Sequence, residues 1–162
     1  MSTVYLGMGS NVDAVSHIRA GLAELRQQFG EIALSPVYRS RSVGFDGDDF
    51  LNLAVGVQSG LQPLQLKLWL NKLEDRYGRL RNVEKFSDRT LDIDILMYDD
   101  LYIRLPELSL PRGELLHFAH VLKPMSDLAP ELVHPVAKRT MAELWAGFSG
   151  QRDGLELFEL PD

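Results

Sequence analysis

The stretch FSDRTLDIDILMY, residues 86–98, decides the fold prediction, because its second half alternates like a buried β-strand. Ile93 and Ile95 alternate there with Asp92 and Asp94. Residues two apart share a face of a strand, with about 6–7 Å between their Cα atoms, so the two carboxylates lie side by side. Two acids on one face of an apolar strand are costly unless a cation neutralises them. The chain has no cysteine and both groups are oxygen ligands, so Mg²⁺ is the predicted cation.

A basic loop leads into this strand and points to phosphate chemistry. It carries Arg79, Arg81, Lys85 and Arg89. Guanidinium groups match the oxygens of a triphosphate, and metal-binding acids beside arginines are what phosphoryl transfer needs. A solvated strand face whose aspartates pair with nearby arginines would leave the same pattern. The strand alone therefore does not separate a metal site from surface ion pairs.

The composition predicts one globular domain over residues 1–162, with the tail after about residue 150 peripheral. Of the 162 residues, 45% are hydrophobic and 25% charged, as in ordinary globular proteins. The absence of a long apolar run or a leader-like opening predicts a soluble, cytoplasmic protein. A net charge of −6 argues against nucleic-acid binding but allows a local nucleotide site. Nothing in the sequence calls for a protein partner or a membrane, and a monomer is expected.

The predicted elements follow the order strand–helix–strand–strand–helix–strand. This order is typical of a ferredoxin-like α+β fold, a β-α-β-β-α-β core in a single sheet with helices on both faces. Extra C-terminal strand and helix pieces cover what remains open. Strands are predicted at 3–9, 32–38, 50–59 and 92–98, with helices at 15–29 and 63–77 and a short one at 140–145. Asp99-Asp100 predicts a hairpin turn into 101–104.

Two polar features remain open from the residues alone. The first strand ends in Gly7-Met8-Gly9-Ser10-Asn11, which lacks the third glycine of a dinucleotide-binding turn and instead offers Ser10, Asn11 or Asp13 as helix N-caps. Asn52 shares a strand face with Phe50, so the pair forms either the floor of a pocket for a flat heterocycle or an ordinary strand end. His117 and His120 lie three residues apart, but a helical metal site would need further ligands nearby.

At this point the sequence resembles the 6-hydroxymethyl-7,8-dihydropterin pyrophosphokinase family. The similarity runs in order from about residue 4 to about residue 135. It is carried by the motifs Tyr5-Leu6-Gly7-Met8-Gly9-Ser10-Asn11, Val37-Tyr38-Arg39-Ser40, Phe50-Leu51-Asn52, Gly78-Arg79-Leu80-Arg81, Arg89-Thr90-Leu91-Asp92-Ile93-Asp94-Ile95-Leu96 and Pro124-Met125-Ser126-Asp127-Leu128-Ala129-Pro130.

The resemblance implies transfer of the terminal pyrophosphate of ATP to the hydroxymethyl group of a reduced pterin, releasing AMP, in folate synthesis. Asp92 and Asp94 would hold two Mg²⁺ ions, and Arg89, Arg79 and Arg81 would neutralise the phosphates, the last two on a loop that closes over ATP. The implied pterin contacts are Ser40, Val43, Phe50, Asn52, Phe86 and His120. The implied nucleotide contacts are Asn71, Glu74, Arg81, Arg89, Ile95 and Arg112.

Several positions depart from the family pattern. Phe86 replaces a tryptophan that closes on the pterin, and Ser87-Asp88 replaces Gly-Pro, which adds a negative charge beside the incoming triphosphate. Pro111-Arg112 replaces Pro-His. Phe118 aligns with an arginine that touches ATP, and His120 aligns with the aromatic residue that sandwiches the pterin. Arg112 would restore part of the lost charge, and the planar His120 can still stack.

These departures leave three functions to separate. The first is an active pterin pyrophosphokinase, favoured because the metal-binding acids and the loop arginines are present. The second is a pterin- or nucleotide-binding paralogue with low or no activity. The third is the same reaction on a different pterin, with the altered segment 115–120 reshaping the pocket.

Overall fold

The computed structural model describes residues 1–41, 48–78, 89–152 and 154–161. Its strands are β1 (Ser2–Ser10), β2 (Ala33–Leu34), β3 (Val37–Ser40), β4 (Phe50–Ser59), β5 (Asp92–Tyr98), β6 (Ile103–Arg104), β7 (Ser109–Leu110) and β8 (Glu156–Phe158). Its helices are α1 (Ala14–Phe29), α2 (Pro63–Arg76), α3 (Glu114–His117), α4 (Ala119–Leu128) and α5 (Met141–Ala146). Within these ranges no helix is long and apolar enough to cross a membrane.

The main sheet has β1 and β4 at its centre. Its order is β5-β1-β4-β3-β8, β2 also pairs with β4, and all of these pairings are antiparallel. If β2 and β3 are taken as two halves of one strand, the first six elements have the connectivity of a ferredoxin-like β-α-β-β-α-β unit. The predicted α+β fold is confirmed.

One face of this sheet packs against α1 and α2 and forms the larger core. Alternate residues of β4 point into it, as the sequence pattern predicts: Leu51, Leu53, Val55 and Val57. The helices contribute the stripes Ile18, Leu22 and Leu25, and Leu66, Leu70 and Leu73. Helix α1 ends at Gly30, whose φ of 80° is easily adopted only by a residue without a Cβ atom.

The opposite face of the sheet is covered in part by α4. A second, smaller core lies there and includes Ala54, Leu96, Leu122 and Met125. A hydrogen bond from the Tyr38 hydroxyl on β3 to Asp127 on α4 ties the helix to the sheet. Burial and the neighbouring Asp127 carboxylate raise the pKa of Tyr38, so its hydroxyl remains a hydrogen-bond donor. This bond holds the C-terminal end of α4 against the sheet.

Three local features differ from the sequence-based expectations. The strand predicted at 32–38 is divided at Ser35-Pro36, where the Ser35 hydroxyl accepts the Ala54 N–H at 2.8 Å. The hairpin predicted after Asp99-Asp100 is wrong, because β6 pairs with β7 in a separate two-stranded sheet rather than with β5. The C-terminal tail adds β8 to the edge of the main sheet beside β3.

Candidate active site

Asp92 and Asp94 lie on the same face of the sheet as α4, opposite two glycines. In the register of β1 and β5, Gly9 pairs with Asp92 and Gly7 pairs with Asp94. Directly opposite residues on neighbouring antiparallel strands point to the same face. The glycines have no side chains, so they add no bulk to the sheet surface beside either carboxylate.

Asn52 is in the same row as Asp92, on the other side of Gly9. The register pairs Gly9 with Asn52 on β4, and Asn52 with Tyr38 on β3. The Asn52 amide donates to the Ser40 hydroxyl at 3.1 Å. Phe50 pairs with Ser40 and is half-buried on the same face. The three described residues Ser40, Phe50 and Asn52, predicted to contact the pterin, therefore lie together, one glycine away from an acid.

The environment of Asp94 favours a bound cation. Its side chain is only 31% exposed. Burial and the negative charge of the nearby Asp92 raise the pKa of Asp94 to about 7. Glu74 and Glu114 add smaller contributions in the same direction, and the Arg112 charge opposes them. In the described part of the chain, no group of three or more His, Cys, Asp or Glu residues forms a closed metal site. Two carboxylate ligands on one strand face fit Mg²⁺, which commonly keeps several waters and takes substrate phosphates as ligands.

Arg112 lies directly beside this acid pair. Its Nη2 atom is 3.7 Å from Asp94 Oδ1, and its Nε atom is 2.5 Å from Glu114 Oε2. The Arg112 backbone N–H donates to the Leu96 carbonyl on β5 at 2.9 Å. Arg112 thus brings a positive charge to the edge of β5, as the nucleotide-contact prediction requires.

Arg89 is positioned by the turn that follows β1. The Asn11 side-chain oxygen accepts the Arg89 N–H at 2.7 Å, and the Asn11 N–H donates to the Arg89 carbonyl at 3.0 Å. The Asn11 amide also donates to the Asp48 carbonyl at 3.0 Å, and the Ser10 hydroxyl donates to the Thr90 carbonyl. Through these hydrogen bonds the turn contacts Asp48, which follows residues 42–47 in the sequence, and Arg89 and Thr90, which follow residues 79–88.

Of the three candidate N-caps in this turn, Asp13 is confirmed, whereas Ser10 and Asn11 are wrong. Asp13 occupies the N-cap position of α1, but it makes no side-chain capping bond. Ser10 and Asn11 are 0% and 3% exposed and bind backbone groups far away along the chain. Their side chains are already used by these contacts, so they are not available to cap the helix.

His120 and Phe118 lie where α4 begins. Their ring centroids are 5.3 Å apart with an angle of 33° between the planes. Burial lowers the pKa of His120, while the charges of Asp92 and Glu114 act in the opposite direction, which places the ring near the acid pair. Burial thus favours the neutral form of this planar ring, which can stack on a flat ligand. In the part of the chain that is described, His117 and His120 belong to no three-residue metal cluster.

The nucleotide contacts predicted on α2 and β5 have distinct surroundings. Glu74 is 3% exposed, and its Oε2 atom accepts the Ile93 N–H at 2.7 Å, between the two acids along β5. Asn71 lies one helical turn earlier and is half-buried. The Ile95 side chain belongs to the larger core, so only its backbone is available to face a nucleotide.

Four predicted site residues lie outside the described residues: Val43, Arg79, Arg81 and Phe86. Ser87 and Asp88 do as well.

Sequence reasoning missed several residues that build this site. Asn11 binds the backbone of Arg89, Glu114 binds Arg112, and Gly9 separates Asn52 from Asp92. The turn Gly7-Met8-Gly9-Ser10-Asn11 carried a signal for the first and third of these, since small and amide residues at a strand end often permit close backbone approach. Glu114 carried none, because a glutamate in a short polar segment is ordinary.

Comparisons with known proteins identify relatives over most of the chain. The family model for 7,8-dihydro-6-hydroxymethylpterin-pyrophosphokinase (HPPK) matches residues 5–130. A 2-amino-4-hydroxy-6-hydroxymethyldihydropteridine pyrophosphokinase from Aquifex aeolicus is 36% identical over 146 residues, covering 88% of this chain and 90% of the relative. The protein of the same name from Pseudomonas aeruginosa is 35% identical over 136 residues, covering 82% and 83%.

Solved structures show the same fold. The wild-type HPPK-DHPS crystal structure from Plasmodium falciparum with SDX-DHP aligns over 90% of this chain with a TM-score of 0.72 at 16% identity. The chain spans 43% of the length of that protein. At this identity the similarity bears on the fold alone.

Proposed function

The chain belongs to the 7,8-dihydro-6-hydroxymethylpterin-pyrophosphokinase family, and from this membership we propose how its own residues share the work of the reaction. The activity is transfer of pyrophosphate from ATP to the hydroxymethyl group of 6-hydroxymethyl-7,8-dihydropterin, in folate biosynthesis. In this reaction the hydroxymethyl oxygen attacks the β-phosphorus of ATP, the bond from that phosphorus to the oxygen of the α-phosphate breaks, and AMP leaves. ATP is therefore the co-substrate of an ATP-dependent diphosphotransferase.

We propose that Asp92 and Asp94 hold two Mg²⁺ ions against the triphosphate. The support is that both are oxygen ligands on one strand face and that burial and Asp92 raise the pKa of Asp94, a penalty on its charged form that a bound cation would offset. Bound there, Mg²⁺ would neutralise phosphate charge and lower the pKa of the attacking hydroxyl. The carboxylates would orient the phosphates only through bound ions, since carboxylate and phosphate oxygens repel each other.

The arginines neutralise charge that develops on the phosphates in this proposal. Arg89 is fixed through its backbone by Asn11, and Arg112 lies at the edge of β5. Arg79 and Arg81, which precede Arg89 in the sequence, contribute further positive charge in this proposal. Asn71, Glu74 and the Ile95 backbone form the rest of the nucleotide site, where Glu74 acts mainly by holding β5 in place. Positioning and electrostatics suffice, and no covalent intermediate with the enzyme is required.

The pterin lies over Asn52 and Ser40 in this proposal. The Asn52 amide offers both a donor and an acceptor to a flat heterocycle, and its bond to Ser40 fixes its orientation. Phe50 lines the slot, and the neutral His120 ring stacks on the pterin. Val43 and Phe86 stay in the proposal as pterin contacts implied by the family resemblance. One observation supports this assignment: Asn52 and Asp92 flank the same glycine, Gly9, so a pterin bound at Asn52 would lie next to the acid pair.

A second candidate function deserves a test because of Phe118 and His120. An apolar ring occupies the position of an ATP-binding arginine, and the two rings contact each other at the start of α4. This arrangement would suit a paralogue with low turnover or an enzyme acting on a different pterin.

A panel of reduced pterins, assayed for AMP release with ATP and Mg²⁺, separates these functions. AMP formed most efficiently with 6-hydroxymethyl-7,8-dihydropterin supports the proposal. AMP formed best with another pterin supports altered specificity, and calorimetric binding of the pterin without AMP supports the paralogue.

A monomeric state, a cytoplasmic location and the single domain over residues 1–162 stay predictions.

A further inference from the structure

Arg112 lies between two carboxylates that belong to different elements. Its Nε atom is 2.5 Å from Glu114 Oε2 on α3, within hydrogen-bond length, while its Nη2 atom is 3.7 Å from Asp94 Oδ1 on β5. At 3.7 Å, the contact between Arg112 and Asp94 is an ion pair but is too long for a hydrogen bond. A charge-assisted hydrogen bond is the stronger of the two contacts, so Glu114 is the primary partner of the guanidinium.

The backbone of Arg112 is fixed on both sides, whereas its partly exposed side chain is held by the contacts with Glu114 and Asp94. Its N–H donates to the Leu96 carbonyl at 2.9 Å, and its carbonyl accepts the Leu115 N–H at 3.1 Å. The side chains of Arg112 and Asp94 are 32% and 31% exposed. The guanidinium can therefore change partners by side-chain rotation while the Cα atom stays beside β5.

We propose that Glu114 is a positioning residue that holds Arg112 as an exchangeable counter-ion of Asp94. Without a divalent cation, the guanidinium offsets the charge of the acid pair. When a cation binds Asp92 and Asp94, it replaces this positive charge, and the guanidinium turns to a nucleotide phosphate. The inference rests on the metal site of the proposed function.

Glu114 matters because it keeps Arg112 from binding Asp94 too closely. A direct guanidinium–carboxylate hydrogen bond would compete with the metal for the same oxygen. Held by Glu114, the guanidinium stays 3.7 Å from Asp94, where it lowers the repulsion between the acids but leaves Oδ1 open to a cation. Removing Arg112 or Glu114 should therefore change the affinity for the metal in opposite directions.

Mn²⁺ binding to the full chain without nucleotide, followed by electron paramagnetic resonance, tests this inference. Arg112→Gln removes a competing charge and should tighten Mn²⁺ binding by about fivefold, the scale of one partly exposed ion pair. Glu114→Gln releases the guanidinium toward Asp94 and should weaken Mn²⁺ binding by about the same factor. Glu114→Asp keeps the carboxylate and should stay closer to the wild type.

The double variant Arg112→Gln/Glu114→Gln distinguishes positioning from the charge of Glu114 itself. If Glu114 acts through Arg112, replacing it in the Arg112→Gln background leaves the Mn²⁺ affinity unchanged. If its own charge attracts the metal, the same replacement weakens binding in both backgrounds. A nonhydrolysable ATP with a methylene group between the α- and β-phosphates supplies a second measurement, since Arg112→Gln should weaken its Mg²⁺-dependent binding while tightening Mn²⁺ alone.

The inference is supported if Arg112→Gln and Glu114→Gln shift the Mn²⁺ affinity in opposite directions and if Glu114→Gln has no effect on that affinity in the Arg112→Gln background. An unchanged Mn²⁺ affinity in Arg112→Gln, or equal weakening by Glu114→Gln in both backgrounds, overturns it while leaving the metal site intact. Asp94→Asn is the reference for the site itself. Full Mn²⁺ binding in that variant would overturn both the proposed metal site and this inference.

Discussion

Asn52 Oδ1 lies so close to Gly9 that a Cβ atom on residue 9 would be 2.6 Å away from it. Gly9 lies between Asn52 on β4 and Asp92 on β5. The contact therefore connects the Asn52 amide, which is proposed to bind the pterin, with the proposed metal site. Asn52 also donates to Ser40 at 3.1 Å. The amide cannot move away from a larger residue at position 9 without disturbing this bond.

Gly9→Ala should therefore weaken pterin binding while the fold is retained. Loss of the Asn52 orientation costs about one hydrogen bond, or up to about tenfold in the pterin dissociation constant. Calorimetry measures this constant, and binding of the nonhydrolysable ATP should change much less. Gly56→Ala is the matched control on the same face of the sheet, since its new Cβ would meet Tyr5 Cε1 at 3.4 Å, an ordinary contact. Wild-type pterin affinity in Gly9→Ala would show that the Asn52 geometry is unimportant.

Asn11→Ala should lower turnover by misplacing Arg89. The variant loses the acceptor for the Arg89 N–H and the donor to the Asp48 carbonyl. A buried hydrogen-bond partner left unsatisfied costs about 1–3 kcal/mol, so urea unfolding should show a loss of this size. Asn11→Asp keeps the acceptor but not the donor, so it should retain more activity at equal protein concentration. If both variants lose activity equally, the Arg89 contact is not what matters.

Glu74→Ala should destabilise the chain as well as weaken nucleotide binding. The buried carboxylate accepts the Ile93 N–H at the edge of β5, and its removal leaves that N–H without this acceptor. The expected cost is about 1–3 kcal/mol in the free energy of unfolding. Glu74→Gln keeps an acceptor oxygen and should cost less. A nucleotide effect with no change in unfolding would mean that Glu74 contacts ATP rather than supporting β5.

His134 should make the chain less stable in mild acid. Its Nδ1 atom accepts the N–H groups of Val136 and Ala137 at 3.2 and 3.0 Å, so protonation would set donor against donor. Burial and the Arg104 charge lower the pKa of His134 below its ordinary 6.5. The unfolded chain then binds the extra proton first as the pH falls through about 6.5. Stability is complete above that pH and declines below it, by at most about 1.4 kcal/mol per pH unit.

His134→Asn provides the comparison for this pH effect. The asparagine oxygen can accept the same N–H groups but does not titrate near neutral pH. Urea unfolding at pH 8 and pH 5.5 should show a smaller decline for this variant than for the wild type. Equal declines would assign the acid sensitivity to other groups.

The parts of the fold that could be predicted are those with a local and repeated signal. The alternation in 92–95 and 50–59 predicted the faces of β5 and β4, and the stripe ending at Gly30 predicted α1. Met97 was expected on the face of Ile93 and Ile95 but lies in the smaller core, because the register of β1 and β5 shifts after Ile95. The partner of β6 could not be predicted, because a two-residue strand carries no periodicity. Ser10 and Asn11 looked like local caps, but their partners Thr90 and Arg89 are about 80 residues away along the chain, a distance at which sequence pattern gives no information.

The candidate site shows the same division. That Asp92 and Asp94 share a face follows from the period of a strand. The register of three strands places Asn52 one glycine away from Asp92, and the local pattern does not reveal this register. Arg112 lies beside Asp94 because the segment after β7 returns to β5, which the local pattern does not reveal either. Glu74 was predicted at the nucleotide site, yet its burial against Ile93 could not be anticipated, since glutamates in helices are mostly exposed.

The most direct test of the account measures AMP formed from ATP, Mg²⁺ and 6-hydroxymethyl-7,8-dihydropterin by the wild type, Asp92→Asn, Asp94→Asn and the exposed control Asp100→Asn. We expect the wild type and Asp100→Asn to release AMP in step with the pterin diphosphate, and each site variant to be slower by at least about 100-fold, since transition-state charge stabilisation is lost. Wild-type rates of AMP release in Asp92→Asn and Asp94→Asn would contradict the claim that these carboxylates hold the metal for the transfer.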